Sequence, residues 1–225
     1  MIWGGAKTMI EVKNISLTLN KRQILNNVSL TLKEGNIYGL VGNNGSGKTM
    51  LMKCMCGFIR PTEGTVESNG KVIGRDVDYL SDAGVIIETP GFIPYYSGFQ
   101  NLKVLAGIKN KISAKEIREA IQTVGLDPNL KLPVKKYSLG MRQRLGLAQA
   151  IMENPSVLIL DEPMNGLDNT GVQDIRTLLL ELKAQGKTIL LASHNREDIS
   201  VLCDTVHEMD GGRLGMDSPK NMDSV

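Results

Sequence analysis

The sequence predicts an α/β protein with a mostly parallel core sheet, a strand-rich start and a helical stretch inserted near the middle. Three observations predict it. Short apolar runs at Ile37–Val41, Val157–Leu160 and Thr188–Ala192 read as buried strands, and an amphipathic helical pattern over Val172–Ala184 joins the last two. Strand, helix, strand in that order implies parallel neighbours with right-handed crossovers. Gly42 to Thr49 reads GNNGSGKT between a strand and a helical stretch, the setting of a phosphate-binding loop. Residues from about Gly91 to Asn154 break the alternation and read as helices.

Along the chain, the leader MIWGGAKT (residues 1–8) has one lysine and no apolar segment, so it does not read as a secretory signal. Met9, just after it, is a candidate start. Ile10–Leu32 alternates as strands do, with Asn26-Asn27 marking a break between two of them. Lys48–Cys56 reads as a helix stopped by Gly57, a residue suited to the left-handed position past a helix end. Thr62–Val72 reads as a small hairpin around glycines.

Ser97-Gly-Phe-Gln100 and Ser113-Ala-Lys-Glu116 have the spacing of capping boxes. After the second, Ile117, Ala120, Ile121 and Val124 fall on one helical face and Gly125 closes it. The helix over Val172–Ala184 ends at Gly186. Without repeats or low-complexity linkers, residues 1–225 read as one compact unit.

The 225 residues are 41% hydrophobic and 22% charged, ordinary for a globular protein. A net charge of +2 offers no general attraction to nucleic acid. No apolar run approaches the ~20 residues of a membrane helix, so the chain is not expected to cross a bilayer by itself. Cys54, Cys56 and Cys203 are odd in number and lack paired metal spacing, which reads as reduced thiols in cytoplasm.

The chemistry begins with Gly42, Asn43, Asn44, Gly45, Ser46, Gly47, Lys48 and Thr49, with Met50 following. Glycines let backbone amides turn inward around an anion, and the helix N-terminus adds a positive dipole. Lys48 is expected to reach the terminal phosphates and Thr49 to ligate Mg²⁺. The strand Val157–Leu160 runs into Asp161 and Glu162, placing acids at a carboxyl end, where α/β sheets bind ligands. Asp161 is expected to hold the Mg²⁺ shell and Glu162 to polarise a water against the γ-phosphate. His194, past the strand Thr188–Ala192, is placed to touch the same phosphate.

Together the loop Gly42–Thr49, the LILDEP run, Asn165-Gly-Leu-Asp168, Ser193-His194 and the stretch YSLGMRQR (Tyr137–Arg144) resemble the nucleotide-binding subunit of an ABC transporter, in order and spacing over nearly the whole chain. The resemblance implies a P-loop NTPase of the ABC-ATPase fold: a mostly parallel core sheet, an N-terminal antiparallel β subdomain and a helical subdomain inserted at about 91–154. YSLGM resembles the family's signature, usually Leu-Ser-Gly-Gly-Gln. Ser138 and Gly140 match; Tyr137, Leu139 and Met141 depart.

In that family two copies pair head to tail, so Ser138 and Gly140 are expected to touch the γ-phosphate on a partner subunit, homodimer or paralogue. Ser138 also suits the cap of its own helix. Asp168 resembles the aspartate that links the two sites. Arg142 and Arg144 read as a solvated basic face.

The resemblance further implies ATP and Mg²⁺, integral-membrane permease partners, a peripheral place on the cytoplasmic face of the membrane, and no nucleic acid. Two departures qualify it. Glu88, in IETPGF, stands where the family usually has a metal-contacting glutamine, a variant similar to the bacitracin-resistance and lantibiotic-immunity exporters. Leu19 stands where an aromatic usually stacks on adenine, which implies weak discrimination between ATP and GTP. PGFIPYYSGF lies where members grip membrane subunits, and its Phe92, Tyr95, Tyr96 and Phe99 suit an interface or the packing of the helical stretch.

Members of that branch often continue into a further C-terminal region, and this chain stops soon after Gly212-Arg-Leu-Gly215. The alternative reading is a soluble ABC-type ATPase acting on ribosomes or DNA. The translation-factor branch typically joins two such units through a basic linker, and the DNA-repair branch carries long coiled coils; neither feature is present.

Overall fold

The computed structural model of the chain describes residues 8–215 and 218–219. The leader up to Lys7 lies outside the described residues. Strands β1 (Thr8–Leu19) and β2 (Arg22–Lys33) pair antiparallel, and β4 (Glu63–Ser68) and β5 (Lys71–Val72) extend them into a sheet ordered β2-β1-β4-β5. The chain reverses at Asn20-Lys21, not at Asn26-Asn27. A two-residue hairpin turn of this hand needs positive φ at both positions, and Asn20 and Lys21 have 49° and 64°. Asn26-Asn27 instead forms a bulge. Ile15 pairs Val28 and Leu17 pairs Leu25, so β2 carries one extra residue there, with Asn27 at φ 54°.

The second sheet holds β3 (Ile37–Val41), β6 (Ala83–Ile86), β7 (Val157–Asp161), β8 (Thr188–Ala192), β9 (Thr205–Asp210) and β10 (Arg213–Leu214), in the order β10-β9-β3-β8-β7-β6. The five strands from β9 to β6 run parallel. A short β11 (Ser218–Pro219) also pairs with β9. Parallel strands are buried on both faces, which explains their unbroken apolar runs.

Alternation along these runs then sorts two cores. Tyr38, Leu40, Val157, Ile159, Leu190 and Ala192 face the antiparallel sheet and helix α1 (Lys48–Cys56). Ile37, Leu158, Leu160, Ile189 and Leu191 face the other helices.

Those helices are α2 (Gly98–Lys109), α3 (Ala114–Thr123), α4 (Leu139–Ile151), α5 (Asn169–Ala184) and α6 (Arg196–Leu202), with a 3-10 turn at Val134–Lys136. Both capping boxes are formed, at Ser97 with Gln100 and at Ser113 with Glu116. Ile117, Ala120, Ile121 and Val124 are buried together, and Gly125 follows at φ 76°. Helix α5 starts three residues before the expected Val172, because the Asp168 side chain caps it by accepting from the Gly171 amide. Helix α4 lies hard against β6: a Cβ on Gly84 would stand 1.9 Å from the Ala150 carbonyl oxygen, so only glycine permits this approach.

All three thiols are buried. Burial disfavours the thiolate and pushes Cys54 up to about 11 and Cys56 up to about 12. The folded chain therefore keeps protons that the unfolded chain sheds from about pH 9, so this stabilisation is complete below that pH and is lost as pH rises through the folded values. Folded protein at pH 8 is expected to resist Ellman's reagent while urea-unfolded protein reacts at once, and its urea midpoint should fall above about pH 9. Prompt labelling of the folded chain would contradict this packing.

Candidate functional site

Four parallel neighbours deliver the chemistry to one edge. The phosphate loop follows β3, Ser193-His194 follows β8, Asp161-Glu162 ends β7, and Glu88 follows β6; β3-β8-β7-β6 is their order in the sheet. Carboxyl ends of parallel strands are where such sheets bind ligands. The loop turns on Gly42, Gly45 and Gly47, with φ 147°, 81° and 113°. A Cβ on Gly42 would meet the Met209 carbonyl oxygen of β9 at 2.1 Å, so that loop start requires glycine.

The loop opens α1 towards a cleft of about 520 Å³. Asn44, Gly45, Gly47, Lys48, Thr49 and Met50 line one side of it. Lys48 folds back, its Nζ donating to the carbonyls of Gly42 at 2.6 Å and Asn43 at 3.1 Å. Asp161, Glu162 and Glu88 line the same cleft. The Thr49 hydroxyl donates to Asp161 Oδ2 at 2.8 Å, so two hard oxygen donors meet at the loop. Among the described residues no cluster of three His, Cys, Asp or Glu side chains is arranged to hold a metal. One carboxylate and one hydroxyl fit Mg²⁺, which keeps waters and substrate phosphates as its remaining ligands rather than filling a protein cage.

Glu162 sits at φ 51°, fixed by its amide donating to the Ala192 carbonyl at 2.9 Å and by Gln143 Nε2 donating to its own carbonyl at 3.0 Å. That leaves its carboxylate to meet His194, whose Nδ1 lies 2.8 Å from Glu162 Oε2. An acid and an imidazole in contact beside an anion-binding loop can orient and deprotonate a water. Glu88 differs. Its carboxylate is 2.7 Å from Lys53 Nζ of α1, and its side chain is 62% exposed.

Ser138, Gly140 and Asp168 are not among the residues lining the cleft. Ser138 caps α4 by accepting from the Met141 amide at 3.1 Å, and Gly140 lies against Gly166, whose carbonyl oxygen a Cβ would meet at 3.0 Å. The signature-like stretch and the Asn165–Asp168 turn are thus neighbours, and their Leu139, Arg142, Gln143 and Asn165 line the cleft while Ser138, Gly140 and Asp168 do not. Tyr137 has a local reason: its buried hydroxyl accepts from the Gly98 amide at 3.2 Å, tying the start of α4 to the start of α2.

The arginines do not form a solvated face. Arg142 donates to the Tyr137 carbonyl, and Arg144 donates to the Val124 carbonyl ending α3 while pairing with Asp174 of α5 at 2.9 Å. Long guanidinium side chains reach across helices and find orphan carbonyls, which sequence spacing does not reveal. Leu19, expected at the adenine position, is not on the cleft wall. Its cross-strand partner Arg22, together with Ile24, lines that side instead.

The aromatic stretch divides. Phe92 and Phe99 pack against the helical core, whereas Tyr95 and Tyr96 are exposed.

The chain is similar to proteins of one family. A family model described as ABC transporter matches residues 25–165. An uncharacterized ABC transporter ATP-binding protein of Bacillus subtilis (strain 168), YybJ, is 46% identical over 92% of this chain and 94% of its own length. The bacitracin transport ATP-binding protein BcrA of Enterococcus faecalis is 40% identical over 92% of this chain and 68% of its own. The lantibiotic transport ATP-binding protein SrtF of Streptococcus pyogenes is 36% identical over 92% and 89%. A solved structure of the ATP binding subunit of an ABC transporter superposes with a TM-score of 0.85 at 26% identity, covering 95% of this chain and 90% of that one.

Because Lys48 is the cation inside the loop, Lys48→Ala is expected to weaken binding of a fluorescent ATP analogue at least about tenfold, the loss of one charge-assisted contact of ~1.5–3 kcal/mol, with the circular dichroism spectrum unchanged. Unaltered affinity would remove the loop from the nucleotide site.

Proposed function

The chain belongs to the ABC transporter family as an ATP-binding, ATP-hydrolysing subunit, and from that premise we propose that it drives export of peptide antibiotics or other amphipathic molecules through separate membrane-spanning subunits. The observation that carries the catalytic part is the contact of Glu162 with His194 beside the phosphate loop. The Glu162 carboxylate takes a proton from a water as its oxygen attacks the γ-phosphorus. The bond from that phosphorus to the β–γ bridging oxygen breaks, and ADP leaves. His194 holds Glu162 on one side and the γ-phosphate on the other, while Lys48 and the loop amides receive the phosphate charge. Mg²⁺ held by Thr49 and Asp161 would neutralise phosphate charge there.

Ser138, Gly140 and Asp168 do not line the cleft of their own chain, which supports a head-to-tail pair in which a second subunit presents them. The N-terminus of α4 brings about half a positive charge to a partner's γ-phosphate. The partner is another copy or a paralogue.

A groove of about 430 Å³ supports docking against the membrane-spanning subunits, which would place the chain at the cytoplasmic face of a membrane. Phe58, Ile87, Pro90, Leu105 and Ile108 line it, and Ile108 is 78% exposed. Apolar side chains clustered at the surface mark interaction sites. Among the described residues no helix is long and apolar enough to cross a membrane. The relatives named for bacitracin and lantibiotic transport support the cargo class. No observation favours action on ribosomes or DNA.

Removing a positioned base costs roughly 10²–10⁴ in rate, so Glu162→Gln is expected to lose that much ATPase activity and to form a dimer in MgATP. Tagged Glu162→Gln recovered from its own cells should bring down a multi-span membrane protein from the membrane fraction. Wild-type turnover would remove Glu162 as the base, and recovery with ribosomes or DNA alone would overturn the transport reading.

Glu88, which Lys53 pairs with beside the loop, is proposed as the metal-contacting switch. An added carboxylate brings charge beside the phosphates that glutamine does not. Glu88→Gln and Glu88→Ala should shift the Mg²⁺ concentration giving half-maximal ATPase, and Glu88→Ala should also slow turnover. An unchanged Mg²⁺ dependence in both would discard that role.

A further inference from the structure

A buried charge network outside the cleft has no part in the chemistry above. Arg176 of α5 donates through Nε and Nη2 to Asp198 Oδ1 of α6, at 2.9 and 2.6 Å. The two side chains are 4% and 3% exposed. The other oxygen, Asp198 Oδ2, accepts from the Ser193 hydroxyl at 3.1 Å. Ser193 Oγ in turn accepts from the Asn195 amide at 3.1 Å, so the hydroxyl clasps its own loop from both sides of His194. Arg176 also reaches Glu197 at 3.0 Å. His194 itself is 72% exposed and touches Glu162. Its loop is held from beneath, by Ser193.

Stability alone explains this poorly. A buried ion pair is often no better than apolar residues of the same volume, because taking both charges out of water offsets their attraction. What the network provides is direction. A planar guanidinium fork fixes one carboxylate, and that carboxylate fixes one hydroxyl.

We propose that Arg176 and Asp198 are positioning residues that, through Ser193, lock the His194 loop to the helix capped by Asp168. The proposal rests on the reading of Glu162 and His194 as the hydrolytic pair. Arg176 stands on the same helix that Asp168 begins, so a shift of that cap against a partner subunit carries the Arg176 anchor, and with it His194, relative to Glu162.

The test uses the whole chain in three variants: Ser193→Ala, Asp198→Ala and Arg176→Lys. Their readouts are kcat, nucleotide affinity and the imidazole NMR signals. The chain has two histidines, and His207, buried on β9 and stacked with Tyr38, serves as an internal reference. In Ser193→Ala and Asp198→Ala the His194 signals are expected to shift or broaden while those of His207 stay. Affinity should remain within about threefold and kcat should fall about tenfold to a hundredfold, the scale of a small misplacement of a reacting group. Arg176→Lys, which keeps the charge but not the fork, should recover part of the rate.

Wild-type His194 signals and kcat, with only a lowered melting temperature, would overturn the proposal. If Asp198→Ala does not fold, Ser193→Ala decides alone, since it leaves the ion pair in place. If the wild-type chain hydrolyses no ATP, the hydrolytic reading fails separately. The NMR arm then still decides: moved His194 signals support the anchor, and unmoved ones reject it.

Discussion

The parallel pairing of β3, β8, β7 and β6 is what the site depends on. In a parallel ladder every strand ends at the same edge, so residues scattered from Asn44 to Asn165 line one cleft, and His194 joins it through Glu162. The pairing holds only if both faces are covered. Alternate residues of each strand supply the two faces, one to α1 and the antiparallel sheet, the other to α2 through α6. Close approaches set the fit: Met209 against Gly42 and Ala150 against Gly84 leave no room for a Cβ. A methyl at either glycine would move a functional element, so the packing fixes site geometry as well as stability.

Backbone strain is distributed to match. Among the described residues the positive φ values outside glycine belong to six asparagines, to Lys21 at a hairpin tip, and to Glu88 and Glu162. Asparagine tolerates that conformation, and Lys21 is required by its turn. The two glutamates have no such excuse, and each costs on the order of 1–3 kcal/mol. Both follow adjacent strands, β6 and β7, at the cleft, where the main chain must turn sharply to aim a carboxylate inward. Glu162 is held there by Ala192 and Gln143 on either side, so the surrounding structure over-determines the strained residue.

Local signals in the sequence carried much of the fold. Five-residue apolar runs, both capping boxes and the glycine after α1 concern neighbours along the chain, and each stands where its pattern points. The hairpin was harder, because Asn20-Lys21 and Asn26-Asn27 both suit positive φ; only cross-strand register separates a turn from a bulge. Long side chains were not legible. Arg144 reaches α3 and α5, Arg22 replaces Leu19 on the cleft wall, and Arg176 meets Asp198 twenty-two positions on. Such contacts are created by tertiary packing and leave no period or motif behind.

The same logic bears on the two caps. Ser138 and Asp168 each satisfy an amide of their own helix, which is the ordinary duty of Ser and Asp at that position. In the proposed head-to-tail pair, capping does not compete with a role across the interface; it prepares one. A hydroxyl that accepts one bond keeps its proton to donate, and a carboxylate that accepts one bond keeps further lone pairs. The cap fixes the rotamer, so nothing remains to be ordered when an anion or a partner arrives, and the entropy cost of binding falls. Tyr137 reinforces this at α4 by bonding Gly98, and Arg176 extends it from α5 to His194. The helix starts that look merely structural are therefore the elements best prepared for the proposed contact with a second subunit.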